Sequence, residues 1–243
     1  MTMEKVSFES DGVVLEGCLC TPQDRTEEGV KTICVAHGLP FEPKPIEEKG
    51  YPDLASMLCK NGFSSLVFNF RGTSKFGGEF GFLEWADDIS NAIKYLLEEK
   101  NIDSSRLIVL GFSAGAMVTC YQAARDDRIK GVALCCCPDM IDRNVFRASI
   151  DMGKKARTIK FEDVDRVLEG MEEVTPTNWI KKIKVPLLIV HGRKDPIASV
   201  DGAEKLYELA ETRKSIHIVE EAGHQLRQVE EAMNAVVKWI ESL

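Results

Sequence analysis

The pentapeptide GFSAG, residues 111–115, sets a serine between two glycines with an alanine behind it. A serine hydroxyl becomes a nucleophile only when a base lies within hydrogen-bond reach and a third group orients that base. Placement makes the pattern informative here. The apolar run RLIVL leads into Gly111, and the small-residue stretch AGAMVTCYQAA follows Ser113. A strand that turns sharply into a helix crowds its own backbone, so small neighbours are needed on both sides. Such a turn lifts Ser113 above the sheet edge and sets it at a helix N-terminus, where developing negative charge is favoured. The plainer reading of Ser113 is an N-cap in a tight strand-to-helix turn.

Four histidines could serve as the base. His217 lies inside the strand-like run SIHIVEE, and His37 and His191 end the runs VAHG and IVHG. His224, in EEAGHQL, falls on the turn between the last strand and the last helix. That loop leaves an imidazole free to swing over the strand ends, although polar capping of the helix would be a simpler role. A carboxylate is then needed to hold the imidazole tautomer. Asp195 in HGRKDPIAS lies four residues beyond a strand-ending histidine, and its Asp-Pro step favours an extended turn. Asp201, Asp139 and Asp142 are the competing acids, and turn initiation is the plainer role for Asp195.

These loops need elements to carry them. Apolar runs at 13–20, 32–38, 64–70, 106–111, 131–137, 186–192 and 215–221 read as strands. Several are apolar throughout, as strands buried on both faces of a parallel sheet must be, whereas the first alternates like an antiparallel edge strand. Between them lie helical stripes: Trp85, Ile89, Ala92, Ile93 and Leu96 form one, and Leu226, Val229, Met233, Val236, Val237 and Ile240 form another. A third helix follows Ser113 through Met117, Cys120 and Ala124. Alternating strands and helices with right-handed crossovers predict an α/β fold, a three-layer sandwich with a mostly parallel sheet and helices on both faces. One domain over residues 1–243 is expected. From about 138 to 184 no strand-like run occurs, yet Phe161, Val164, Val167, Leu168 and Met171 make one apolar face. The segment is about three times as long as a simple crossover needs, which predicts a small helical cap inserted there.

Composition removes several function classes. With 243 residues, 44% of them hydrophobic, the chain can bury a substantial core. Thirty-one basic against 39 acidic residues, a net charge of −8, argue against a nucleic-acid or anionic-membrane binder. No apolar run reaches the roughly 18 residues of a membrane span, and the opening MTMEKVSFESDG lacks the apolar core of a secretory signal. A cytoplasmic protein with its eight cysteines reduced is expected. Metal binding by Cys135, Cys136 and Cys137 is not expected, because neighbouring strand residues point to opposite faces. NFRGTSKFGGEF (69–80) is Gly-rich after a strand but lacks the Gly-Lys-Ser/Thr ending that grips phosphate.

The order Ser113, Asp195, His224 on successive loops resembles the α/β-hydrolase superfamily over nearly the whole chain. The series HG, NFRG, GFSAG, HGRKD and AGH is similar to single-domain serine esterases and related acyl hydrolases. The resemblance implies that Ser113 is the nucleophile, His224 the general base and acid, and Asp195 the orienting acid. It implies no cofactor and no metal. An oxyanion hole would use the Ala114 amide and one from the loop HGLPFEPKPIEEKG, where Pro40 has no N–H and Gly38 or Leu39 is left. The family position after His-Gly points to Leu39. Pro40 departs from the Gly-rich family loop, and Asn69 and Thr73 depart from its D-x-R-G-x-G-x-S run. His37 would orient the loop, and Arg71 would be structural.

The expected reaction is cleavage of a carboxylic ester or thioester with a small to medium acyl group, through an acyl-enzyme. Phe41, Phe161 and Val164 are the expected substrate-binding residues, supplying an apolar pocket. The partner is a small-molecule ester or thioester, with no nucleic acid and no membrane; a homodimer is compatible with the sequence. A serine peptidase, a cofactor-free lyase or perhydrolase, and a non-catalytic binder are the alternatives. Peptidases of this superfamily usually carry a large further domain, which counts against that alternative here.

Overall fold

The computed structural model describes residues 1–23, 29–40, 50–73 and 77–243. Its centre is an eight-stranded sheet in the order β1-β2-β4-β3-β5-β6-β7-β8. The strands are β1 (Thr2–Ser10), β2 (Val13–Thr21), β3 (Thr32–Ala36), β4 (Ser64–Phe68), β5 (Leu107–Phe112), β6 (Gly131–Cys135), β7 (Leu187–Gly192) and β8 (Lys214–Val219). β3 to β8 run parallel, while β1 and β2 pair antiparallel and β2 joins β4 antiparallel. The mostly parallel α/β sandwich expected from the sequence is what the chain forms. One strand was not expected. β1 precedes the alternating run and pairs with it through Asp11-Gly12, both at positive φ, the tight two-residue turn that an Asp-Gly step favours. The edge of the sheet is therefore β1, not β2.

Alternation across each strand divides the core. In β3, Ile33 and Val35 face one cluster while Cys34 and Ala36 face the other. The first cluster is covered by α1 (Gly50–Lys60) and α8 (Glu230–Glu241). The second is covered by α2 (Phe82–Glu98), α3 (Ala114–Ala123) and α7 (Val200–Leu209). Trp85, Ile89, Ile93 and Leu96 of α2 are wholly buried, as their helical spacing demands; each such side chain contributes about 1.5–3 kcal/mol. Between β6 and β7 the chain forms α4 (Arg143–Lys155), α5 (Val164–Glu173) and the short α6 (Pro176–Trp179). Phe146 and Ile150 of α4, with Val167, Leu168 and Met171 of α5, join the second cluster. This segment is also tied to the loop after β4: Lys160 N–H donates to the Gly72 carbonyl and Phe80 N–H to that of Lys160.

All eight cysteines are free and buried. The alternation expected of the Cys run stops at Cys135, because Cys136 turns to φ 45°. Cys135 and Cys136 consequently share one cluster and Cys137 lies in the other.

Candidate functional site

Ser113 sits between β5 and α3 with φ 54° and ψ −123°, a region a non-glycine residue enters only when its surroundings hold it there. Those surroundings explain the small residues. A Cβ on Gly115 would collide with the His37 and Ala36 carbonyl oxygens, and one on Gly111 would collide with Ala116 and Thr119. The elbow is thus pressed against the end of β3, and only glycine fits at the contact. No side-chain hydrogen bond caps the helix at Ser113, so its hydroxyl is not spent on the plainer N-cap role.

The hydroxyl meets His224 instead. Ser113 Oγ lies 2.9 Å from His224 Nε2, and His224 Nδ1 lies 2.7 Å from Asp195 Oδ2. An ionised carboxylate can only accept, so Nδ1 carries the proton and Nε2 is free to accept from Ser113. The Asp195 side chain is fully buried and that of His224 is 16% exposed. Asp195 Oδ1 also accepts from the amides of Ile197 and Ala198. Burial alone would push the Asp195 carboxyl up; the hydrogen bonds from His224, Ala198 and Ile197 outweigh it and hold it below the usual carboxylate range.

The competing acids have other duties. Asp139 pairs with Lys205 at 2.8 Å, Asp142 caps α4 through the amides of Asn144 and Val145, and Asp201 lies in the first turn of α7 behind its cap Ser199. His217 is held at 3.1 Å by Glu231 of α8.

Backbone donors lie beside the serine. Ala114 opens α3, where the first N–H groups have no partner within the helix. Across the elbow, the Gly38 amide donates to the Tyr51 hydroxyl at 3.3 Å, and Pro40 has no N–H. His37 secures the loop. Its Nε2 accepts from Phe70 N–H at 3.1 Å, so the proton is on Nδ1, which donates to the Gly38 carbonyl at 2.7 Å. The loop holding Phe70 is fixed in turn by Arg71. Its amide and guanidinium both reach the buried Asp88, and its guanidinium also reaches Ser10 and Asp11. Burial disfavours the Arg71 charge, yet Asp88 and Asp11 more than offset this.

Two of the three expected substrate-binding residues fall in the β6–β7 segment. Phe161 is buried in the packing between the β6–β7 segment and the body, with Lys154 Nζ 4.5 Å above its ring. Val164 starts α5 and packs partly buried against the same core. Phe41 lies outside the described residues.

Four residues of the site were not singled out for a role there. Tyr51 gave no sequence signal. Asp88 could have been found, since it falls on the buried stripe of α2 between Trp85 and Ile89. Cys136 lies beneath the elbow, and burial pushes its thiol up to about 12. His191 stands next to Asp195, with Nε2 3.5 Å from Oδ2.

As chemistry, the arrangement can deprotonate a serine hydroxyl during attack and return the proton to a leaving group. Among the described residues no cluster of His, Cys, Asp or Glu could hold a metal, and no helix is long and apolar enough to cross a membrane.

The prolyl oligopeptidase family is matched by residues 52–243. Acylamino-acid-releasing enzyme from Homo sapiens is 26% identical over 246 residues, covering 90% of this chain and 32% of that protein. The chain thus spans about a third of the length of the acylamino-acid-releasing enzymes it resembles. Among solved structures, the α/β hydrolase GrgF from Penicillium sp. sh18 superposes with a TM-score of 0.79 at 17% identity, covering 100% of this chain and 99% of that one. The Pyrococcus furiosus esterase Pf2001 gives 0.74 at 22% identity, covering 99% and 92%. Both structural likenesses concern the fold.

Proposed function

The chain belongs to the prolyl oligopeptidase family, and from that premise we infer that it is a serine hydrolase working through an acyl-enzyme. The observation that carries the reading is the hydrogen-bonded line from Ser113 through His224 to Asp195. Ser113 Oγ attacks the acyl carbonyl as His224 Nε2 takes its proton. The oxyanion is held by the amides of Ala114 and Leu39. His224 then gives the proton to the departing alcohol or thiol, and water, activated by the same imidazole, releases the acid. Asp195, ionised through the neutral range, stabilises the imidazolium formed at each step.

The substrate in this reading is a small-molecule ester or thioester with a small to medium acyl group, met in a cytoplasmic setting without nucleic acid, membrane or cofactor. A second reading has specific support. The family match and the human relative favour an amide substrate from which an N-acylated amino acid is released. Both pass through an acyl-enzyme; they differ in the acyl group carried and in the leaving group, an amine in place of an alcohol or thiol.

Two measurements on the same protein test this. A fluorophosphonate probe should label Ser113 and no other residue. A panel of p-nitrophenyl esters of increasing acyl length, set beside N-acetyl-aminoacyl p-nitroanilides, should give turnover highest on short esters. Faster turnover of the anilides would favour the peptidase reading, and absence of both labelling and turnover would leave a non-catalytic binder.

A further inference from the structure

His191 is the next-to-last residue of β7, and its imidazole is wholly buried. Its Nε2 lies 2.9 Å from the Ala198 carbonyl oxygen, which can only accept, so Nε2 carries the ring proton and Nδ1 is bare. That Nδ1 is one of three buried side-chain nitrogen or oxygen atoms without a hydrogen-bond partner among the described residues. An aliphatic side chain would fill the same space without stranding an acceptor. Packing is therefore a poor account of this imidazole.

Its surroundings supply a better one. Asp195 has no exposed side-chain surface, so each of its lone pairs must face protein. Oδ1 takes the amides of Ile197 and Ala198, and Oδ2 takes His224. Nε2 of His191 also lies 3.5 Å from Oδ2. That is not a second hydrogen bond, since the one Nε2 proton goes to Ala198; it sets the protonated edge of the ring beside the carboxylate. One ring thus holds the loop from 195 to 198 by a carbonyl whose own amide holds Asp195, and faces the oxygen on which His224 depends.

We propose that His191 is a positioning residue of the reaction, acting through Asp195. By clamping Ala198 it fixes the carboxylate rotamer, and by facing Oδ2 it steadies the charge, so the oxygen stays aimed at His224 Nδ1. This role rests on the serine-hydrolase reading above.

The test compares His191→Leu, which removes the donor, with His191→Gln, which keeps a side-chain N–H able to reach the Ala198 carbonyl. Each is made alone and on an Asp195→Asn background, with kcat and KM read on p-nitrophenyl acetate and folding checked by near-UV circular dichroism. The leucine variant should lose about 10- to 100-fold in kcat with KM within about threefold, the size of effect that partners of directly acting groups carry. Glutamine should restore most of that loss. On the Asp195→Asn background the leucine change should lower the residual rate by less than about twofold, because the group it acts through is already gone. Equal factors in the two backgrounds, or a folded leucine variant within about twofold of the parent, would overturn the proposal. If leucine disturbs folding, His191→Phe, a ring without a donor, is judged by the same criteria. A parent protein that neither turns over the ester nor takes the fluorophosphonate counts against the serine-hydrolase reading itself, not against His191.

Discussion

β3 and β7 end alike, in Val-Ala-His-Gly and Ile-Val-His-Gly, yet the two buried histidines are used differently. His37 spends both ring nitrogens on backbone, accepting from Phe70 and donating to Gly38. His191 spends one, on Ala198, and leaves the other bare beside the acid. The β3 end thus stiffens a loop that offers amides, while the β7 end stiffens a carboxylate that offers charge. In the proposed reaction the first end would hold the developing oxyanion and the second would serve the base. A short sequence motif reports where a strand stops, and the partners beyond it decide what the histidine does.

The sharpest way to break this division is to remove the serine on which both ends act. Ser113→Ala should lower kcat on a short ester by about 10⁶-fold, and Ser113→Ala with His224→Ala should be little worse, since such residues act as a unit. Next comes the β7 end. Asp195→Asn should lose about 10⁴ in kcat with KM little changed, because the amide presents an N–H where His224 needs an acceptor. Asp139→Asn and Asp142→Asn, measured beside it, should stay near the parent rate; a large loss in either would reassign the acid. The β3 end should show less. His37→Leu strands the Phe70 amide and frees the Gly38 carbonyl, which should cost about 1–3 kcal/mol in urea-unfolding stability. It should also slow every ester in the panel by a similar factor, since the oxyanion is common to all of them.

The smallest effect separates the ends by pH. The Asp195 carboxyl is held below its unfolded value, so the folded protein binds fewer protons there than the unfolded one. The stability this contributes is fully present above the unfolded carboxylate value of about 3.9 and is lost as pH falls through the lower folded value. The gap in melting temperature between the parent and Asp195→Asn should therefore narrow on acidification below about pH 4. No such narrowing is expected between the parent and His37→Leu, which alters no carboxylate.

Legibility followed how local the signal was. Ser113 could be read because its neighbours on both sides must be small, and the run before it and the stretch after it are period-coded. Asp195 and His224 could be read from the loops they end, although nothing local separated Asp195 from Asp139 or Asp142. That choice needed Lys205 on α7 and the first turn of α4 to take the rivals away. β1 went unread because its mixed polar residues alternate only weakly, and its pairing lies in the Asp-Gly turn rather than in its own pattern. Phe161 and Val164 have the right period, but period says only that a face is buried; here Phe161 is in the core and Val164 packs partly buried against it. Tyr51 meets Gly38 through a fold-level approach that no spacing encodes.

The two hydrogen bonds of His224 reach back 29 residues to Asp195 and 111 to Ser113. Contacts so distant in sequence require long loops to close before they can form. Until β7 and β8 have docked, Ser113 carries an ordinary alcohol with no base beside it. In the proposed reaction an incompletely folded chain would lack the base, and closing the sheet would supply it. Fluorophosphonate added at successive times during refolding would then serve as a clock for the closing of the last strands, lagging behind the recovery of helical circular dichroism.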